Sequence, residues 1–78
     1  MPKRSITIKG HRTSIALEKE FWSVLDAAAE RRRVSLPRLV ADIDKSRLKK
    51  TPPPGLASAL RIFALSEAGR SGVGDEAD

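Results

Sequence analysis

In the first thirty residues the spacing of apolar positions changes character. In "RSITIKG" (residues 4–10) Ile6 and Ile8 fall on one face of an extended chain. In "RTSIAL" (residues 12–17) Thr13, Ile15 and Leu17 share one face and Arg12, Ser14 and Ala16 the other. The two runs have opposite parity, and a single regular strand cannot bury both sets on one side. A bulge or turn is therefore predicted at Gly10-His11. From Glu18 the period becomes helical, with no loop between. Phe21, Val24, Leu25 and Ala28 recur at i, i+3, i+4 and i+7, and Trp22 and Ala29 widen the stripe. Glu18 and Glu20 suit the start of that helix, and Arg31, Arg32 and Arg33 suit its end.

A second helix is predicted from Ser35, a good N-cap, with Pro37 in its first turn, where a missing N–H costs least. Its stripe is Leu36, Leu39, Val40 and Ile43, and it runs to about Leu48. "KKTPPPG" cannot continue a helix. The chain thus divides into a basic arm or extra strand (residues 1–11), a strand-helix-helix core (12–48), a Pro-rich linker (49–55), a C-terminal helix (56–69) and a disordered acidic tail (70–78). Residues 1–3 are expected to be disordered as well. In the third helix Leu56, Ala59, Leu60, Ile62, Phe63 and Leu65 cover more than one face. That predicts packing against two surfaces or against a partner chain.

Composition sharpens this picture. A single core is marginal in 78 residues, since even a 60-residue domain buries only about 60% of its unfolded surface. There is no Cys for disulfides, and one His with no thiols makes a structural metal unexpected. Self-association is the remaining remedy. Fifteen Lys/Arg against ten Asp/Glu leave a net charge of +5, which favours a polyanionic partner. The start has no apolar run of a signal peptide, and no segment approaches the ~20 apolar residues of a membrane span. A cytoplasmic, nucleoid-associated protein with no membrane partner is expected.

A lone six-residue strand leaves its edges unpaired. If two copies pair residues 12–17 antiparallel, the edges meet, the inner faces lie over four helices, and the outer face presents Arg12, Ser14 and Ala16 twice. Such a ribbon fits a DNA major groove. The segments "GHRTSIALEKEFW", "LDAAAERRRVSLPRLVADID" and "SALRIFAL" carry a resemblance to the ribbon-helix-helix (Arc/Met repressor-like) superfamily. Within it they resemble short bacterial members with a "GHRTS" segment. The resemblance implies a mainly α fold: an intertwined homodimer with a two-stranded antiparallel intersubunit β-ribbon, here with an additional C-terminal helix. It implies a double-stranded DNA partner, a role in transcription regulation such as a repressor, and no cofactor.

Carried onto this chain, the resemblance makes Arg12, Ser14 and Ala16 the ribbon readers. Ala16 departs from the usual polar third reader and offers only an apolar touch. The phosphate clamp maps to the N–H groups of Val34 and Ser35. Arg33 stands at a turn position where the family often has Gly, and a left-handed Arg there costs about 1–2 kcal/mol. Lys9 and His11 lie beside the ribbon, within reach of phosphates. More ordinary readings stand next to these. Arg12 and Ser14 also suit a solvated strand face, Arg31–Arg33 a solvated helix end, and Phe21 and Trp22 the core. No nucleophile–base set, Gly-rich phosphate loop or metal cluster points to an enzyme. The alternative is a protein-interaction module, or an antitoxin-like autoregulator, on the same dimer.

Overall fold

A computed structural model describes residues 1–69, and its first event is a reversal of the chain at Lys9-Gly10. Both residues have positive φ, 51° and 82°, as the two-residue type I′ hairpin turn requires. Strand β1 (Lys3–Ile8) therefore folds back on strand β2 (His11–Ala16), with Ile8 facing His11 and Lys3 facing Ala16. The turn lies one residue earlier than predicted, and His11 already belongs to β2. In this register an even-numbered residue of β1 always faces an odd-numbered residue of β2. The parity change read from the sequence is thus resolved: Ile6, Ile8, Ile15 and Leu17 are all buried on one side.

Within the chain β1 covers one edge of β2, as the extra strand among the expected alternatives for residues 1–11. The other edge stays uncovered among the described residues, in keeping with the expected ribbon between two copies. Local closure across two residues needs little loop entropy, so β1 takes the first edge of β2. The N-terminus is tied down rather than disordered. The Pro2 carbonyl accepts from the Leu17 amide and from the Trp22 indole Nε1, each at 3.1 Å.

Helix α1 (Lys19–Arg32) follows β2 almost directly. Its buried residues are Trp22, Leu25, Ala28 and Ala29, while Phe21 and Val24 are only half-buried. The helix is thus rotated from the predicted stripe. The indole hydrogen bond to Pro2 and the Arg4 guanidinium 4.7 Å from the Trp22 ring centre accompany this choice. Arg4 also forms a two-pronged pair with Asp26, at 3.0 and 3.1 Å.

Arg33 is left-handed (φ 58°, ψ 42°) and ends α1. The Arg33 amide donates to Glu30 and the Val34 amide to Ala29, the bond pair of a Schellman motif. Helix α2 (Leu36–Arg47) starts at Ser35, whose Oγ accepts from the Arg38 amide at 3.2 Å. It buries Leu39, Val40 and Ile43.

Helix α3 (Leu56–Ala68) packs on both α1 and α2. Leu60 and Ala64 are its buried apolar residues, yet Ile62 and Leu65 remain 57% and 63% exposed. Arg47 bonds Asp44 and also donates to the Pro54 carbonyl, which ties the Pro-rich connection to α2. Glu67 is buried at the far end of α3 and accepts from Arg31 and Arg32 at 2.5 and 2.7 Å. Arg32 also lies over the Phe63 ring, 5.0 Å from its centre. From the middle of α3, Arg61 donates to the Glu18 carboxylate at 3.0 Å. Its pKa is lowered, first by hydrogen bonding from its own backbone and then by Arg61. A depressed carboxylate stabilises the fold above its unfolded pKa and loses that effect as pH falls through the folded value. This α1–α3 tie is therefore complete at neutral pH and opens only in acid. The predicted disorder of residues 70–78 lies outside the described residues.

Replacing Glu67 by Gln keeps the shape but removes the charge that both arginines meet. Because those arginines are about half exposed, the expected loss is about 1–2 kcal/mol. It should appear as a lower denaturant midpoint, with amide exchange in α3 accelerated more than in the hairpin. An unchanged midpoint would remove Glu67 from the forces holding α3.

Candidate nucleic-acid interface

Side chains alternate across the hairpin, so its buried inner face dictates its outer one. Arg12 and Ser14 are exposed and Ala16 half-exposed, all on the outer side of β2. The register sets Thr7 opposite Arg12, Ser5 opposite Ser14 and Lys3 opposite Ala16, and these three β1 residues are exposed too. The outer face is therefore six residues wide over two strands, half of them supplied by β1. Sequence reasoning missed Lys3, Ser5 and Thr7. The signal was available, because a turn at Lys9-Gly10 would have fixed every cross-strand pair.

The cations of the hairpin separate into two groups. Arg4 points to the helix side and is held by Asp26 and Trp22. Lys3, Lys9 and Arg12 are exposed and make no salt bridge among the described residues. His11 is exposed at the end of the hairpin.

The phase of the ladder decides what the free edge of β2 offers. The Leu17 amide points at the Pro2 carbonyl. Alternation along the strand then turns the N–H and C=O groups of Arg12, Ser14 and Ala16 away from β1. No other strand covers them, since the sheet has two strands among the described residues. This edge presents backbone N–H and C=O groups that no strand among the described residues covers.

The second set of candidates sits elsewhere. Arg33, Val34 and Ser35 form the α1–α2 turn. The Val34 amide is already bonded to Ala29, the Arg38 amide to Ser35 Oγ and the Leu39 amide to the Ser35 carbonyl. Pro37 has no N–H. The amides of Ser35 and Leu36 are the ones left facing out at this helix start. Arg31 and Arg32 are engaged by Glu67, so Arg33 is the exposed cation of the run without an ion pair among the described residues.

The two sets are not gathered together. Lys9 and His11 border a cleft whose other wall includes Asp44 and Arg47, near the C-terminal end of α2. Ser35 begins the same helix. Twelve residues of α2 separate the two ends by ~18 Å. One protomer therefore offers two separated basic contacts. No group of acidic or His side chains among the described residues could hold a metal ion. No helix among them is long and apolar enough to cross a membrane.

A hairpin strand followed directly by two capped helices is the ribbon-helix-helix arrangement. The chain belongs to this family: the family model of the ribbon-helix-helix domain matches residues 1–68, so β1 and α3 lie inside the matched domain. Ribbon-helix-helix domains in general bind DNA, typically as dimers, as transcription regulators or antitoxins, and are typically not enzymes. No curated protein and no solved structure matches the chain significantly.

The left-handed Arg33 gives a direct test of the inter-helix turn. Arg33→Gly relieves about 1–2 kcal/mol of αL strain but adds backbone entropy to the unfolded chain. A net gain of about 0.5–1 kcal/mol in chemical denaturation is expected. Arg33→Ala, which keeps the strain, should give no such gain.

Proposed function

We propose that this chain is a homodimeric regulator of transcription that binds double-stranded DNA in the bacterial cytoplasm, at the nucleoid. Two copies join through the free edges of β2, and the outer face of those strands enters the major groove. The observation that carries this reading is the coincidence, on β2, of an uncovered hydrogen-bonding edge with an exposed face bearing Arg12 and Ser14. Arg12 reads guanine edges, Ser14 donates or accepts, and Ala16 touches a thymine methyl. Lys9, His11 and Arg33 contact phosphates. The clamp at the start of α2 uses the Ser35 amide, with Leu36 replacing Val34, whose N–H is already bonded.

The net charge of +5 supports a strong electrostatic component. Each phosphate neutralised contributes about −0.9 to the slope of log K against log salt. Binding to a duplex should therefore weaken steeply between low and moderate salt, and sedimentation should find a dimer. Arg12→Ala should lower the preference for the selected sequence by about 1–3 kcal/mol while leaving weak binding to random duplex. Salt-independent binding would reject the reading, and an unchanged preference in the variant would remove Arg12 from the readers.

A second reading, a protein-interaction or antitoxin-like role, is favoured by one observation: Ile62 and Leu65 stand exposed on α3. Ile62→Asp would abolish capture of a co-expressed partner without altering DNA binding. Loss of DNA binding in that variant would argue against a separate protein surface.

A further inference from the structure

The outer face of the hairpin has a second strand that the functional reading does not use. Lys3, Ser5 and Thr7 stand opposite Ala16, Ser14 and Arg12. The Leu17–Pro2 bond fixes the ladder so that these are the non-hydrogen-bonded pairs. Their Cα atoms approach to about 4.5 Å, and their side chains rise next to each other. All three β1 residues are exposed, and Lys3 makes no salt bridge among the described residues. The one outer-face position of β2 that lacks a polar group, Ala16, therefore has Lys3 at its side. The match of the family model begins at residue 1, so this strand is part of the domain and not an appended arm.

We propose that β1 is a DNA backbone-contact strand: Lys3, with Ser5 and Thr7, binds the phosphates that wall the groove occupied by β2. This rests on the DNA-binding reading above and assigns a new site within it. The reason is width. Pairing two copies through β2 places four strands side by side, in the order β1, β2, β2, β1. At about 4.8 Å between neighbours the outer strands lie ~14 Å apart. The major groove is about 12 Å wide and admits a two-stranded ribbon. The two β2 strands then sit over the base edges, and each β1 meets a phosphate wall. A compact, mobile ammonium and two hydroxyls suit phosphate oxygens and carry no sequence information.

The test compares Lys3→Ala, Lys3→Arg and Arg12→Ala in the full chain. Each is titrated onto the preferred duplex and a random duplex across a salt series. Lys3→Ala is expected to weaken both duplexes by the same factor. It should flatten the salt slope by about 2 per dimer, one phosphate contact per copy. Lys3→Arg restores the slope. Ser5→Asp, which puts a negative charge at the wall, weakens both duplexes equally as well. An unchanged slope in Lys3→Ala, or a loss confined to the preferred duplex, overturns the assignment. If Arg12→Ala loses discrimination while Lys3→Ala has no effect, β1 is not a contact strand and the DNA-binding reading stands. If the wild-type chain shows no salt-dependent duplex binding, both fall together. The melting temperature of each variant should equal that of the wild type; a lowered value for Lys3→Ala would assign Lys3 to the hairpin's stability and overturn the contact.

Discussion

The structure depends on the register of one short hairpin. A two-residue turn with positive φ at Lys9 and Gly10 sets β1 against β2 so that Ile6, Ile8, Ile15 and Leu17 share a side. A slip of one residue would carry half of them to the solvent face. Trp22, Leu25 and Ala28 of α1, Leu39, Val40 and Ile43 of α2, and Leu60 of α3 join these residues in one buried core. The hairpin's inner face adds its apolar residues to a core that the helices also build among themselves. The same register decides the outer face, because alternation leaves no freedom once the inner one is chosen.

The polar contacts near the core act at its corners. Pro2 offers one carbonyl to the end of β2 and to the indole of Trp22, and so links the first residues to the start of α1. Arg4 closes this corner from the other side through Asp26 and the Trp22 ring. Glu67 ties the C-terminal end of α3 to two arginines of α1, and Arg61 in the middle of α3 ties it to Glu18 at the start of α1. Glu67 is buried while its arginines are half exposed, so the guanidinium groups keep part of their hydration. That arrangement avoids the full desolvation cost of a buried pair. It also occupies Arg31 and Arg32, which narrows the exposed charge of the α1–α2 turn to Arg33.

Closing the hairpin inside one chain changes the physical case for association. A lone strand would need a second copy to cover either edge, whereas here β1 covers one and leaves the other. The exposed edge of β2 and the apolar pair Ile62 and Leu65 are two surfaces that a single copy leaves uncovered among the described residues. They differ in chemistry. The first offers directional backbone hydrogen bonds, which suit a second strand. The second offers apolar area, which suits a helix or a groove.

Much of this was legible along the chain. The strand-to-helix switch at Glu18, the cap at Ser35 and the break at residues 49–55 follow from local physics: period, capping chemistry and the restrictions of proline. The left-handed residue after the first helix was implied by the resemblance alone. Opposite parity in the two β-branched runs required a bulge or a turn between them, and alternation along residues 12–17 assigned Arg12 and Ser14 to an outward face. What remained hidden were the long-range choices. A two-residue turn at 9–10 or at 10–11 leaves the same faces buried, so the hydrophobic pattern alone does not choose between the two registers; the chain turns at Lys9-Gly10. That residues 3–8 form a strand covering one edge of β2, so that the opposite edge is the one left open, depends on closure of the hairpin, which no periodicity encodes. The rotation of α1 toward Trp22, the capture of Arg31 and Arg32 by Glu67, and the arrival of Lys3, Ser5 and Thr7 beside the β2 face all join residues far apart in the chain. Local pattern determined the elements and their faces. Tertiary structure decided which faces meet, because burial is a property of pairs of surfaces and each surface carries information about only one of them.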